Sequence, residues 1–141
     1  MITLNKQYVA EISELIKNLL TLCKYKVQVS SDEISLLCSK NDLKKIILFL
    51  KDNPSFNLDT LIDITAIDFP SESRRFTVVY NLLSVTKNFR LKIKIKISEN
   101  ESVQSICDVF CCANWYEREI WDLFGIRSVS YTHLRAHETH S

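Results

Sequence analysis

The run Phe89-Arg90-Leu91-Lys92-Ile93-Lys94-Ile95-Lys96-Ile97 is compatible with few folds. In an extended chain, successive side chains point to opposite faces. Phe89, Leu91, Ile93, Ile95 and Ile97 then line one face, and Arg90, Lys92, Lys94 and Lys96 line the other. A helix would scatter the same groups around a cylinder. Residues 88–98 are therefore expected to form a strand with one dry face and one wet face, and the dry face needs a layer packed against it. Residues 61–69 form a second such run, closed by Pro70 and the polar Ser71-Glu72-Ser73. Residues 75–84 form a third. It is apolar on both sides, with Phe76, Val78, Tyr80 and Leu82 opposite Val79 and Leu83, which suits an interior strand. Residues 25–30 and 33–39 are two shorter strands around a turn at Ser30-Ser31-Asp32.

The covering layer comes from helical periodicity. Val9, Ile12, Ile16, Leu19 and Cys23 recur at spacings of three and four, predicting an amphipathic helix over residues 5–22. Leu43, Ile46, Ile47 and Leu50 mark a second helix. Ser39 and Asp42 resemble a capping box before it, and Asp52-Asn53-Pro54 closes it. A helical turn or two is expected around residues 103–110. The fold class is α+β, a mixed sheet of about four to five strands with helices packed on one face.

Residues 114–126 are the most distinctive segment. Asn114 and Glu117 have capping-box spacing, and Gly125 is placed as a left-handed C-terminal residue. On a helical wheel with Trp115 at the origin, Leu123, Tyr116, Ile120, Phe124 and Trp121 span roughly 80° to 240°. That arc is the expected core face. Arg118, Glu119 and Asp122 lie opposite, around Trp115. An exposed Trp among charges is a typical interface anchor. Glu117 falls inside the apolar arc, either as a simple cap or as a carboxylate held against a partner's Arg or Lys. Trp115, Glu117, Arg118, Glu119, Trp121 and Asp122 are the candidate partner-interface residues. The bland alternative is an ordinary amphipathic core helix.

Chemistry is scarce elsewhere. With one glycine, Gly125, the chain holds neither a P-loop nor a dinucleotide fingerprint. No catalytic, cofactor-binding or metal residues are assigned. Cys107, Cys111 and Cys112 lack iron–sulfur spacing and read as buried structural thiols. A thiol enzyme built on Cys107 or Cys111 needs an electropositive setting, which Asp108 opposes. The basic row at 90–96 reads as a solvated face that also discourages sheet-edge aggregation. Lacking interleaved aromatics, it is a poor nucleic-acid platform. His133, His137 and His140 do not form a recognisable zinc pattern. The net charge of +1 gives no case for nucleic acid or an anionic membrane. No apolar run is long enough for a transmembrane helix. The five cysteines point to a reducing compartment. Nothing at the N-terminus reads as a signal or transit peptide. The abundance of Ile, Lys, Asn and Leu suggests A/T-rich codons, as in an organellar genome or an AT-rich bacterium.

The segment Asn114-Trp115-Tyr116-Glu117-Arg118-Glu119-Ile120-Trp121-Asp122-Leu123-Phe124-Gly125-Ile126 resembles the signature of the thirty-kilodalton subunit family of respiratory NADH:quinone oxidoreductase (complex I). The family has both mitochondrial and bacterial members. Residues 61–69 and 75–84 resemble its two preceding strands, and the likeness covers roughly residues 5–126. It implies a non-catalytic core subunit in the hydrophilic arm of a proton-pumping NADH:ubiquinone oxidoreductase, a translocase of the respiratory chain. Such a subunit packs against the large quinone-site subunit and other arm subunits. NADH, FMN, iron–sulfur clusters and quinone are then bound by other subunits, with no cofactor on this chain. The implied location is the matrix side of the mitochondrial inner membrane, or the cytoplasmic side of a bacterial plasma membrane. Alternatives are a stand-alone α+β interaction domain, or the equivalent subunit of a plastoquinone-reducing or hydrogenase complex. Residues 1–126 form the expected domain. Residues 127–141 depart from the family pattern and are expected to be an artefactual or disordered tail.

Overall fold

The computed structural model describes the backbone of residues 6–19, 25–30 and 33–130, and the side chains of 10–17, 25–30 and 33–130. Its elements are α1 (Lys6–Leu19), β1 (Tyr25–Val29), β2 (Ile34–Cys38), α2 (Leu43–Asp52), β3 (Thr60–Asp68), β4 (Phe76–Ser84), β5 (Phe89–Ile97), β6 (Ser102–Gln104), α3 (Ala113–Phe124) and β7 (Arg127–Val129). Residue 5, residues 20–22, the turn residues 31–32 and the three histidines lie outside the described residues.

Five strands form one mixed sheet in the order β1-β2-β5-β4-β3. β3, β4 and β5 are an antiparallel meander, and β2 joins β5 in parallel. The alternation in β5 is realised: Phe89, Leu91, Ile93, Ile95 and Ile97 are all buried. They face Ile12 and Ile16 of α1 and Leu43, Ile46, Ile47 and Leu50 of α2, which belong to the same core. The basic row lies on the other face, where Lys92 reaches Glu33 at 2.9 Å and Lys96 reaches Glu72 at 3.4 Å. β5 lies between β2 and β4 rather than at an edge, so the edge-protecting role expected for its charges does not apply. β4 is interior as expected, with Thr77 and Val79 buried on its second face as well.

Two turns fix the meander. At the β3–β4 end, Arg75 grips Asp68 with two bonds of 2.7 and 2.8 Å and reaches Glu99 at 2.9 Å. This guanidinium holds the Asp68 carboxyl below its ordinary pKa. At the β4–β5 end, Asn88 takes a left-handed φ of 58° and donates its N–H to Ser84 O at 2.8 Å. Asn tolerates that region better than most residues because its short polar side chain bonds locally.

Several local expectations are corrected. Asp42 precedes α2 but makes no side-chain cap bond; its backbone is already helical. Ser39 instead accepts from Asn41 N and holds a turn. Residues 103–110 are not a helix of two turns. Val103 belongs to β6, and a single turn follows, with Phe110 N donating to Ile106 O at 2.9 Å. Residues 127–129, expected to belong to a tail outside the fold, form β7 and pair in parallel with β6. Ser105 N donates to Val129 O at 2.6 Å, extending that pairing.

A chain ending at Ile126 leaves Ser105 N–H and the β6 backbone without these partners. It should be about 1–3 kcal/mol less stable in urea than a chain ending at Ser130. Equal stabilities would show that β7 adds nothing to the fold.

Candidate partner interface

α3 starts at Ala113, which is wholly buried. Cys112 occupies the cap position in helical geometry with no side-chain cap bond. Asn114 is therefore already inside the helix and exposed, and the expected Asn114–Glu117 capping box is absent. The start is set instead by the preceding turn, where Ala113 N donates to Phe110 O at 3.0 Å. The Cys112 thiol donates to Leu61 O at 3.7 Å, beside the irregularity between Leu61 and Asp63 in β3. The C-terminal end matches expectation: Gly125 adopts φ 71° and ψ 19°, and its N–H bonds Trp121 O. A residue with a Cβ meets a steric penalty there that glycine avoids.

The buried stripe is narrower than the helical wheel suggested. Ala113, Glu117 and Ile120 are buried, with Tyr116 and Phe124 partly so. Phe124 meets Phe76 edge-on, 6.0 Å between ring centroids. Leu123, placed on the core arc from the sequence, is 76% exposed, and Trp121 is 48% exposed. α3 packs chiefly on β3 and β7. With little flanking its sides, only the central stripe of about 100° is covered. Trp115 is 66% exposed, and Arg118, Glu119 and Asp122 are exposed around it. Among the described residues, none of these three charged side chains has an ion pair.

Glu117 does something the sequence did not reveal. It is only 7% exposed. Its carboxylate accepts from Ser105 Oγ at 2.7 Å and from Ile106 N at 2.9 Å. Ser105 Oγ in turn accepts from Cys107 N at 3.2 Å. One carboxylate thus ties α3 to the segment leaving β6. Burial pushes its pKa up, the two hydrogen bonds oppose that, and the charge of Asp108 adds to the rise. Glu117 also helps raise the phenol of the buried Tyr80, although burial of Tyr80 is the larger cause. Ser105 was missed because its partner lies 12 residues away, with no local pattern linking them.

Beside Glu117, an open groove of about 610 Å³ runs between α3 and β7. Ser105, Asn114, Glu117, Arg118, Trp121 and Arg127 are among its lining residues. The Arg127 guanidinium lies over the Trp121 ring at 5.5 Å. Two of the thiols read as buried are not: Cys111 and Cys112 are exposed, and Cys107 is half-buried. Among the described residues, no group of three His, Cys, Asp or Glu side chains is placed to hold a metal ion.

A meander sheet backed by helices, with an aromatic and charged helix face exposed among the described residues, defines this α+β domain. Residues 36–139 match the family described as respiratory-chain NADH dehydrogenase, 30 Kd subunit, a span that runs past Ile126. The chain belongs to that family. It is 39% identical over 110 residues to the NADH-quinone oxidoreductase subunit designated C of Rhodospirillum rubrum, covering 78% of this chain and 52% of that protein. It is 36% identical over 126 residues to the subunit of the same designation from Parvibaculum lavamentivorans, covering 89% and 63%. The chain thus spans only about half to two-thirds of the length of these relatives. A chain of the membrane-bound sulfane sulfur reductase, an archaeal respiratory membrane complex, shares the fold with a TM-score of 0.70 at 22% identity, over 85% of this chain and 69% of that one.

This geometry can be tested at two points. Ile120→Ala should cost about 2–5 kcal/mol in chemical denaturation, and Trp115→Ala should stay within about 0.5 kcal/mol. Equal losses would mean that Trp115 is packed rather than free. The second test concerns pH. The folded-state pKa of Glu117 is raised above its unfolded value, so the associated stability is full below the unfolded carboxylate pKa and fades as pH rises through the folded one. Glu117→Gln abolishes that titration. Stability measured from acid to neutral pH should therefore decline in the unsubstituted chain relative to the variant, and parallel curves would refute the assignment.

Proposed function

We propose that this chain serves as a non-catalytic subunit of the hydrophilic arm of a respiratory complex I-like assembly, with the exposed face of α3 turned toward the large quinone-site subunit. One observation carries the reading: inside the family-matched span, α3 leaves Trp115, Trp121 and Leu123 exposed beside Arg118, Glu119 and Asp122, which have no ion pair among the described residues. Aromatic anchors ringed by polar groups concentrate binding energy in protein interfaces. Glu117, the sixth interface candidate, contributes from the floor of the groove. Its two oxygens are engaged inward, so it shapes the surface that a partner meets. Electron transfer from NADH to quinone then runs through cofactors on neighbouring subunits, and this chain supports their arrangement. It associates with the membrane through the complex, whether a mitochondrial inner membrane or a bacterial plasma membrane. No helix among the described residues is long and apolar enough to span a bilayer.

A second reading is the equivalent subunit of a related respiratory complex, favoured by the fold shared with the sulfane sulfur reductase chain. Affinity purification of the chain separates the two by the large subunit that accompanies it. With the complex I large subunit as partner, Trp115→Ala should weaken binding by about 2 kcal/mol. Undiminished binding by that variant would remove α3 from the interface.

A further inference from the structure

We propose that the groove between α3 and β7 receives an Asp or Glu side chain of the partner protein, with Arg118 and Arg127 as the receiving guanidiniums. The proposal rests on the reading that α3 faces a partner subunit, and it names the chemistry which that partner presents.

The argument is one of charge complementarity. Elsewhere in the fold, four partly buried cations meet carboxylates: Lys40 with Glu101, Lys44 with Asp108, Arg75 with Asp68 and Lys92 with Glu33. Arg118 and Arg127 line one groove, and neither has an acidic partner among the described residues. The one carboxylate lining that groove is Glu117, and both its oxygens are held by Ser105 and Ile106.

The groove is also organised for such a ligand. Arg127 belongs to β7, whose pairing with β6 holds its backbone. The Arg127 guanidinium lies over the Trp121 ring, 5.5 Å from its centroid, and a guanidinium forks onto a carboxylate through its N–H edge. Asn114 and Ser128 line the same groove and add neutral donors. The surroundings favour a protein side chain over a polyanion. Exposed Trp115, Trp121 and Leu123 provide apolar contact area. Glu119 and Asp122, on the same helix, would repel a nucleic-acid backbone or an anionic bilayer.

The test uses the full chain co-expressed with the complex I large quinone-site subunit. Arg118→Glu combined with Arg127→Glu should weaken the pair at least about tenfold, and Arg90→Glu on the far sheet face should change it less than about twofold. Because Arg127→Glu also removes the contact with Trp121, a gentler pair of variants accompanies it. Arg118→Lys and Arg127→Lys keep the charge and add an amine that a carbodiimide can couple to a nearby carboxylate. Coupling to an Asp or Glu of the partner, located by mass spectrometry, would bear the proposal out. A bound complex that yields no such coupling overturns it, and so does a double reversal that binds normally; both outcomes leave the subunit reading standing. If the unsubstituted chain fails to bind the large subunit at all, the subunit reading and this proposal fall together.

Discussion

The buried carboxylate of Glu117 sets the geometry of everything on the α3 side of the molecule. A lone carboxylate in a protein interior costs several kcal/mol, so its surroundings must supply donors. Ser105 Oγ and Ile106 N supply them. Each bond to a charged acceptor returns about 1.5–3 kcal/mol, so desolvation is roughly offset and little surplus remains. The consequence is positional. The chain leaving β6 must pass beneath α3 for those donors to reach, and Ser105 N then meets Val129 O of the strand that follows the helix. The helix, β6, β7 and the groove between them share this one constraint.

The other half of the molecule depends on a different term, the burial of apolar surface. β5 contributes five alternate, inward-facing residues to a core that α1 and α2 cover, and no polar group is needed to define that packing. The two halves therefore have different sensitivities. The sheet and its helices tolerate changes that conserve volume. The α3 corner depends on hydrogen bonds of defined direction, and losing either donor leaves a buried charge poorly satisfied.

This difference explains what could be read in advance. Alternation in residues 89–97 and periodicity in residues 43–50 are local signals, so the five-stranded sheet and α2 were legible. β6 and β7 were not: each has three residues, too few for a period, and their pairing depends on a carboxylate well separated from both in sequence. Residues 127–129 do not resemble the family's expected continuation, and their pairing with β6 uses backbone groups that any sequence carries. The capping box at Asn114 failed for a related reason. The spacing is right, but Glu117 is drawn inward by Ser105 and the preceding turn starts the helix two residues earlier, with Cys112 rather than Asn114 at the cap. The exposure of Trp115, Arg118, Glu119 and Asp122 in α3 was legible from helical phase, and that of Trp121 and Leu123 was not. The width of the buried stripe was not, because it depends on how few elements flank the helix.

That the α3 charges have no ion pair among the described residues also follows from energetics. Arg118 and Asp122 are one turn apart, the spacing at which a helical ion pair forms, yet they do not meet. Such a pair adds only a few tenths of a kcal/mol to a helix, so leaving it unmade hardly weakens the domain. The same groups contribute far more once a second surface excludes water around them, because charge pairs strengthen as the local dielectric falls. On the proposed reading, α3 can therefore keep its cations and anions available at almost no cost to the fold. Trp115, Trp121 and Leu123 follow the same logic: each exposed apolar surface contributes little to the isolated chain and becomes stabilising when a partner covers it.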